Sequence, residues 1–524
     1  MKRKGFTLIE LLAVIVILAI IALIATPIVL DIIEDSKNSS IKRSAELYLD
    51  AVEQAIATSA MNDGLEDGTY IIDSKGNLKY KDKTIKVSIK NYNFESGTVI
   101  IEQGQIKDVK LSNNEKVTTG KELNKIDKWD GKTVKEVTED SNGIYHITKA
   151  SELAWVAQKV NSGETFEGKT ISLDASLDLG GRYDKDGKKL GTEWIPIGTK
   201  KSDDEVFPFK GTFEGNNNVI SGVYINKPQE DLAENQYLGL FGYSDAAIIK
   251  SLVMKDSYIK GYSNIGVACG RVVNGGNINN VVVENIYVNA IQASGIVVGA
   301  TNTNVSLSNL YSYNNEIIGN GMHIGGIVGA LQDGSLLNNA YSNAIIKNGS
   351  DNNCICTGGV VGFSTLNSTI DNVISEATIE SYGSRIGGIV GHIQKVGTIK
   401  NSKSYSKITG GSILGGIVGS ASGFKAGDTL ENIESYSTIE TTGEFVGGIV
   451  GSYNGGNNYF TNIYSKAKIK ASNNVGGIIG GVGHLGIDDD TIINCSNVSS
   501  ESTVNGVIDT NNLWGSIGSR TTIN

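Results

Sequence analysis

The 524-residue sequence holds four histidines: His146, His323, His392 and His484. Each precedes an apolar residue, and none has a second histidine four positions on. A zinc peptidase of the HExxH type needs two imidazoles one helical turn apart with a glutamate between them, and that motif is absent. Cys354 and Cys356, in NCICTGG, lack a second pair at zinc-ligand spacing and read as small strand residues. The acidic runs at Asp184–Gly187 and Asp488–Asp490 offer oxygens to Ca²⁺, but neither has the downstream glutamate of a full calcium loop. They read as solvated turns. The chain is therefore expected to be no enzyme and to need no metal or other cofactor.

One ionisable group stands in an unusual setting. The chain opens MKRKGFTLIELLAVIVILAIIALIATPIVLD, in which Glu10 is the only charge between Phe6 and Leu30. Twenty-five such residues are enough to span a bilayer as a helix. Lys2, Arg3 and Lys4 ahead of them hold the N-terminus in the cytoplasm and send everything after Asp31 outside. A lone carboxylate within such a segment costs roughly 2.5–3.5 kcal/mol at the bilayer centre, which usually marks function. The small residue Gly5 lies before the apolar run, the wrong order for ordinary signal removal.

The run KGFTLIELL resembles the cleavage and methylation motif of type IV prepilins and of the pseudopilins of type II secretion. The resemblance covers about 30 residues. It implies that a prepilin peptidase cuts after Gly5 and that Phe6 becomes the N-methylated first residue. Glu10 takes the place of the glutamate that serves filament assembly, and Pro27 that of a helix-kinking proline. Physically, Glu10 of one subunit can pair with the new Phe6 ammonium of a neighbour in apolar surroundings, where such pairing matters most.

The elements that carry this motif follow from the pattern behind it. Ile41, Ala45, Leu47, Leu49, Val52, Ile56 and Ala60 recur at roughly helical spacing, so the apolar run continues as an amphipathic helix. From Phe6 to Met61 it would measure about 84 Å at 1.5 Å per residue. Residues 69–118 then alternate as strands between Gly and Asn turns. Next, TKASELAWVAQKVNSG reads as a short helix with Thr148 as N-cap, Leu153, Val156, Ala157 and Val160 on the apolar face, and Gly163 as the stop.

The rest of the chain is a repeat. Glycine-flanked apolar runs end at Gly242, Gly270, Gly299, Gly329, Gly362, Gly391, Gly419, Gly451, Gly480 and Gly518, spaced 28 to 38 residues apart. Glycine makes up 65 residues, and the last of only 4 prolines is Pro228. A long Gly- and Asn-rich tract without proline suits paired strands and tight turns. Each repeat carries a second strand, as in NSKSYSKIT from Asn401 and NIESYSTIE from Asn432. The third, fifth and seventh residues after its asparagine are small, small and large, for example Ser404, Ser406 and Ile408. Thirty residues with two or three strands cannot bury a core alone but can when stacked, so a parallel β-solenoid of about ten coils is expected, with the asparagines laddered at the turn. This tract resembles the GLUG repeats of bacterial surface proteins, which also occur beside the protease domain of immunoglobulin A-cleaving metallopeptidases. The resemblance runs over roughly residues 141–524.

A glycan-active β-helix would gather carboxylates on one face. The columns here read Asp371, Lys400, Glu431 and Glu380, Thr409, Glu440, Lys470, an alternation that suits cross-coil charge pairing. Tyr311, Tyr341, Tyr405, Tyr436 and Tyr464 face outward; they read as a cover for the solenoid or as a stripe that binds carbohydrate or protein. Composition offers no basic face for nucleic acid, since 56 acidic residues outnumber 46 Lys and Arg.

The expected architecture is mainly β. Residues 1–5 form a leader, 6–64 the pilin helix with 6–30 in the membrane, and 65–125 a small antiparallel sheet. Residues 126–235 hold the lead-in helix and first solenoid strands, and 236–524 the repeats. The expected function is that of a minor or tip pilin displaying its solenoid for adhesion to a glycan or protein receptor, with other pilin subunits as partners through the helix. A pseudopilin and a pilus-tethered glycan-active enzyme are the alternatives. The precursor would be a single-pass cytoplasmic-membrane protein with its N-terminus inside, the mature form extracellular on a filament.

Overall fold

The computed structural model describes residues 44–524 except 46, 57, 60–64, 66–67, 73–74, 81–82, 90–95, 103–104, 113–116, 119–127, 185–186, 203, 217, 350–355, 396, 423–428, 484–489, 509–511 and 519–520. The chain divides into two compact units, Met1–Lys125 and Ile126–Asn524.

In the first unit, residues 44–45, 47–56 and 58–59 are helical. Six antiparallel strands follow, in the spatial order Lys83–Ile85, Leu78–Tyr80, Gly68–Ile72, Ser96–Glu102, Gln105–Ser112, Val117–Thr118. Ala45, Tyr48, Val52 and Ile56 recur every three or four residues and pack with Tyr70, Leu78, Val99, Ile101 and Leu111 in one core. Ala45, Val52 and Ile56 are buried as their spacing predicts, whereas Leu47 points outward, 56% exposed, and Tyr48 points in. The Tyr48 hydroxyl reaches the core edge and donates to the Gly76 carbonyl at 2.8 Å. Among the described residues no helix is long and apolar enough to cross a membrane; the expected span, residues 6–30, lies outside them.

The second unit is a parallel β-solenoid of about 12 turns. The lead-in helix Ala150–Val160 buries Leu153, Val156, Ala157 and Val160, as its spacing predicts. Its N-cap is Lys149 rather than Thr148. Glu152 explains the shift: its buried carboxylate accepts from the backbone N–H groups of Thr148 and Lys149 at 2.8 and 3.0 Å, and from the Thr148 hydroxyl. Lys135 pairs with the other oxygen at 2.7 Å.

One turn shows the plan. Arg385–Gly387 lies in a first narrow sheet, Val390–Gln394 in a second, and Gly397–Ser404 with Lys407–Gly410 in a wide sheet. Strands of successive turns pair in parallel within each sheet. The glycines mark the corner between the narrow sheets. A Cβ on Gly388 would collide with the Gly416 carbonyl of the next turn and with the Ser404 hydroxyl, so only glycine fits there.

The count of about ten coils falls short by the first turns. Thr170–Leu173 with Leu177–Asp178, and Thr212–Glu214 with Val219–Ser221 and Tyr224–Asn226, already build the wide sheet. The narrow sheets begin only at Gln236–Leu238 and Phe241–Asp245. The glycine-flanked run is needed only where those sheets meet, so it does not mark the earlier turns.

The inward phase follows the period-two reading. Ile379, Ile408, Ile439 and Ile469 stack in register and are buried. Ser404, Ser406, Ser435 and Ser437 are buried beside them and satisfy one another: Ser404 and Ser437 lie 2.9 Å apart, and Ser406 and Ser437 donate to the Gly388 and Gly416 carbonyls.

Candidate binding face

The outward face of the wide sheet is organised by asparagines at one recurring position. Asn372, Asn401, Asn432, Asn462 and Asn497 all adopt φ between 53 and 56°, the left-handed region that Asn tolerates better than other non-glycine residues. Each makes a bend inside the sheet, so the ladder runs along the face and not at the turn where the sequence reading put it. The Asn432 amide donates to the Asn401 carbonyl at 2.8 Å, Asn462 to Asn432 at 2.9 Å, and Asn497 to Asn462 at 3.0 Å. Asn401 donates instead to Asp371, also at 2.8 Å.

Charged columns flank the ladder and pair across turns, as the alternation of signs predicts. Lys400 lies 3.4 Å from Asp371, Lys403 2.9 Å from Glu434, and Lys470 2.5 Å from Glu440. Such exposed pairs are worth little each; their consequence is that no carboxylate cluster forms along these columns.

The tyrosines share this face. Tyr405 and Tyr436 stack with ring centres 5.1 Å apart and planes 7° from parallel. In the next turn Tyr464 stands two residues earlier in the strand, opposite Glu434, and its ring is turned 64° from that of Tyr436. The Tyr436 hydroxyl donates to Glu434 at 2.8 Å, a bond that pushes its pKa up to about 12, while Lys403 holds the Glu434 carboxyl below its ordinary range. Tyr311 and Tyr341 flank Tyr313, which the sequence reading left out although it shares their outward phase. A second stack was also missed: Tyr224, Tyr258 and Tyr287 lie in consecutive turns at 5.4 and 5.1 Å. Its signal was the alignment of these tyrosines once the earlier turns are counted.

Where the parallel tyrosine stack ends, a shallow groove of about 420 Å³ opens between Asn432, Glu434, Tyr436, Asn462, Tyr464 and Asn497.

The remaining candidates resolve individually. His323 and His392 are held neutral by burial, their pKa values pushed down to about 4 and about 3; His323 stacks on Phe363, and the His392 ring lies tilted beside it. His146 is exposed, with Nδ1 2.6 Å from Asp174 and Nε2 3.5 Å from Asp140. His484 and Cys354 lie outside the described residues, and Cys356 sits in the strand Cys356–Gly358. The Asp184 carboxylate accepts from the Lys188 N–H at 2.9 Å and closes a tight turn. Among the described residues no three His, Cys, Asp or Glu side chains converge on a metal position. Gly5, Phe6, Glu10 and Pro27 all lie outside the described residues.

Residues 1–26 match the family described as the prokaryotic N-terminal methylation motif. That motif implies processing by a prepilin peptidase and assembly with pilin subunits, and it suggests a membrane-anchored precursor later exported to a surface filament. Elsewhere the chain is similar to the immunoglobulin A1 protease of Streptococcus sanguinis, 28% identical over 29% of this chain and 9% of that protein. It is also similar to the zinc metalloprotease ZmpC of Streptococcus pneumoniae, 26% identical over 59% of this chain and 16% of that one. The chain thus spans less than a fifth of the length of either relative. A solved structure assigned as an immunoglobulin A1 protease of Bacteroides ovatus aligns over 59% of this chain and 80% of that one, with 21% identity and a TM-score of 0.37. The expectation that the chain is no enzyme is corrected by these relatives, since both curated proteins are named as proteases.

Proposed function

We propose that this chain is a type IV pilin-like surface protein, a minor or tip subunit that enters a filament through its N-terminal helix and displays the solenoid for adhesion. The observation that carries the reading is the methylation motif at residues 1–26 in the same chain as a solenoid unit reaching from Ile126 to Asn524. A filament built only from so large a subunit would be crowded, which favours a minor or terminal position. In this reading the peptidase cuts between Gly5 and Phe6, Phe6 is methylated, Glu10 pairs with a neighbour's Phe6 ammonium, and Pro27 kinks the helix. The repeats are of the GLUG type, and the adhesive surface is the outward face of the wide sheet. Shearing filaments from the cell surface and identifying their subunits by mass spectrometry tests it. Recovery of this chain with Phe6 at its N-terminus is expected; filaments free of it, with the chain confined to the membrane fraction, favour a pseudopilin.

The protease relatives favour a second reading, in which the solenoid serves proteolysis at the surface with immunoglobulin A1 as substrate. Incubating cells with and without the chain with immunoglobulin A1, and reading cleavage on gels, decides it.

A further inference from the structure

The groove on the wide sheet arises from a break in a column. Tyr405 and Tyr436 stack in register, but the residue in the next turn that continues their column is Lys466, and the aromatic ring moves two residues back to Tyr464. Two tyrosine rings set at 64° to one another therefore wall the gap, with Asn432, Asn462 and Asn497 along one margin. The Asn497 amide donates back to Asn462 at this margin, and Asn497 is exposed.

The charges at the groove are already spent on one another. Lys403 pairs with Glu434 at 2.9 Å and Lys466 with Glu501 at 3.3 Å. A protein hot spot would ask for an apolar pocket or an unpaired charge, and Ile463, the one aliphatic lining residue, is buried. What remains is planar rings beside amide, carboxylate and hydroxyl groups. Tyrosine supplies an apolar ring with a polar tip, and Glu434 keeps lone pairs beyond those used by Lys403 and Tyr436. That set suits an uncharged, hydroxyl-rich ligand with C–H faces to lay against a ring.

We infer that this groove is a binding site for a neutral glycan chain, with Tyr436 and Tyr464 as the stacking walls and Asn497 and Glu434 as the polar contacts. The inference deepens the adhesive reading and rests on it for access to an external ligand. The test uses the full chain, solubilised in a detergent without a sugar headgroup and titrated calorimetrically with cellotetraose, maltotetraose and chitotetraose. At least one of the three should bind. Tyr464→Ala should weaken that binding at least tenfold, Ser499→Trp should abolish it by filling the groove from an exposed position, and Ile195→Ala, at an exposed loop position outside the wide sheet, should leave it unchanged. Equal thermal unfolding midpoints establish that each variant is folded; should Tyr464→Ala fall short of that, Ser499→Trp carries the test alone. No heat with any of the three glycans overturns the inference, as does binding that Ser499→Trp leaves intact. Neither result bears on filament incorporation, which is read separately from sheared material.

Discussion

Asn432 lies directly over Asn401 in the wide sheet, both at φ 53°, with the amide of the upper residue donating to the carbonyl of the lower at 2.8 Å. The pair performs two tasks at once: it bends the strand and ties one turn to the next.

Those tasks can be separated by substitution. Asn432→Gly keeps the backbone conformation and loses the ladder bonds on both sides, each worth about 0.5–1.5 kcal/mol. Asn432→Val loses the same bonds and forces a β-branched residue into the left-handed region, adding about 1–2 kcal/mol. Urea unfolding should therefore rank the wild type above Gly and Gly above Val. Equal losses for the two variants would mean that the bend is not what selects asparagine.

Strand phase gives a second prediction. Ile439 is fully buried between Ile408 and Ile469, whereas Tyr405 on the opposite face is 45% exposed. Ile439→Ala should cost about 2–5 kcal/mol, as large-to-small changes in a core do. Tyr405→Ala should cost far less. Tyr436 falls between them, because its half-buried ring stacks on Tyr405 and its hydroxyl is bonded to Glu434. Comparable losses at Ile439 and Tyr405 would put the register in error.

These cases show what the sequence made legible. Alternation at period two placed Ser404, Ser406 and Ile408 inside, because one backbone geometry dictates both the pattern and the burial. The asparagine ladder was legible as a ladder but misplaced at a turn, since asparagine's tolerance of left-handed backbone serves a bend within a sheet as well as a turn. On the first helix Ala45, Val52 and Ile56 were legible and Tyr48 was not, because Leu47 and Leu49 satisfy a helical spacing nearly as well; the sheet packed against it decides, and Tyr48 reaches the Gly76 carbonyl. The groove was not legible at all. It depends on Lys466 following Tyr436 and on Tyr464 facing Glu434, which become neighbours only when the turns are set in register.

Glu10 provides a prediction about assembly. If its carboxylate neutralises the Phe6 ammonium of a neighbouring subunit, Glu10→Ala should be cleaved after Gly5 as usual yet be depleted from sheared filaments. Gly5→Leu should act one step earlier, leaving a membrane-held precursor with its Lys2–Lys4 leader intact. Quantitative mass spectrometry of membrane and filament fractions distinguishes the two defects. Filaments carrying Glu10→Ala at the wild-type level would refute the pairing role.

The histidines predict opposite responses to pH. His146 has its pKa raised, first by its hydrogen bond to Asp174 and then by that to Asp140. A raised folded pKa contributes stability that is fully present below the unfolded value, about 6.5, and is lost as pH rises through the folded value. His323 and His392 have the reverse shift, caused first by burial and then by the charge of Arg385, to about 4 and about 3. The unfolded chain binds protons at these two sites before the folded one does, so their contribution is intact above about 6.5 and declines as pH falls towards 4. Ring-proton chemical shifts should therefore show His146 titrating above its free value and moving down in Asp174→Asn, while His392 stays neutral at pH 5. Thermal unfolding followed from pH 7 to pH 4 should fall less steeply in His392→Phe, which removes the titration and keeps an aromatic ring beside Phe363. A variant as acid-sensitive as the wild type would show that the buried imidazole is not what limits stability on that side.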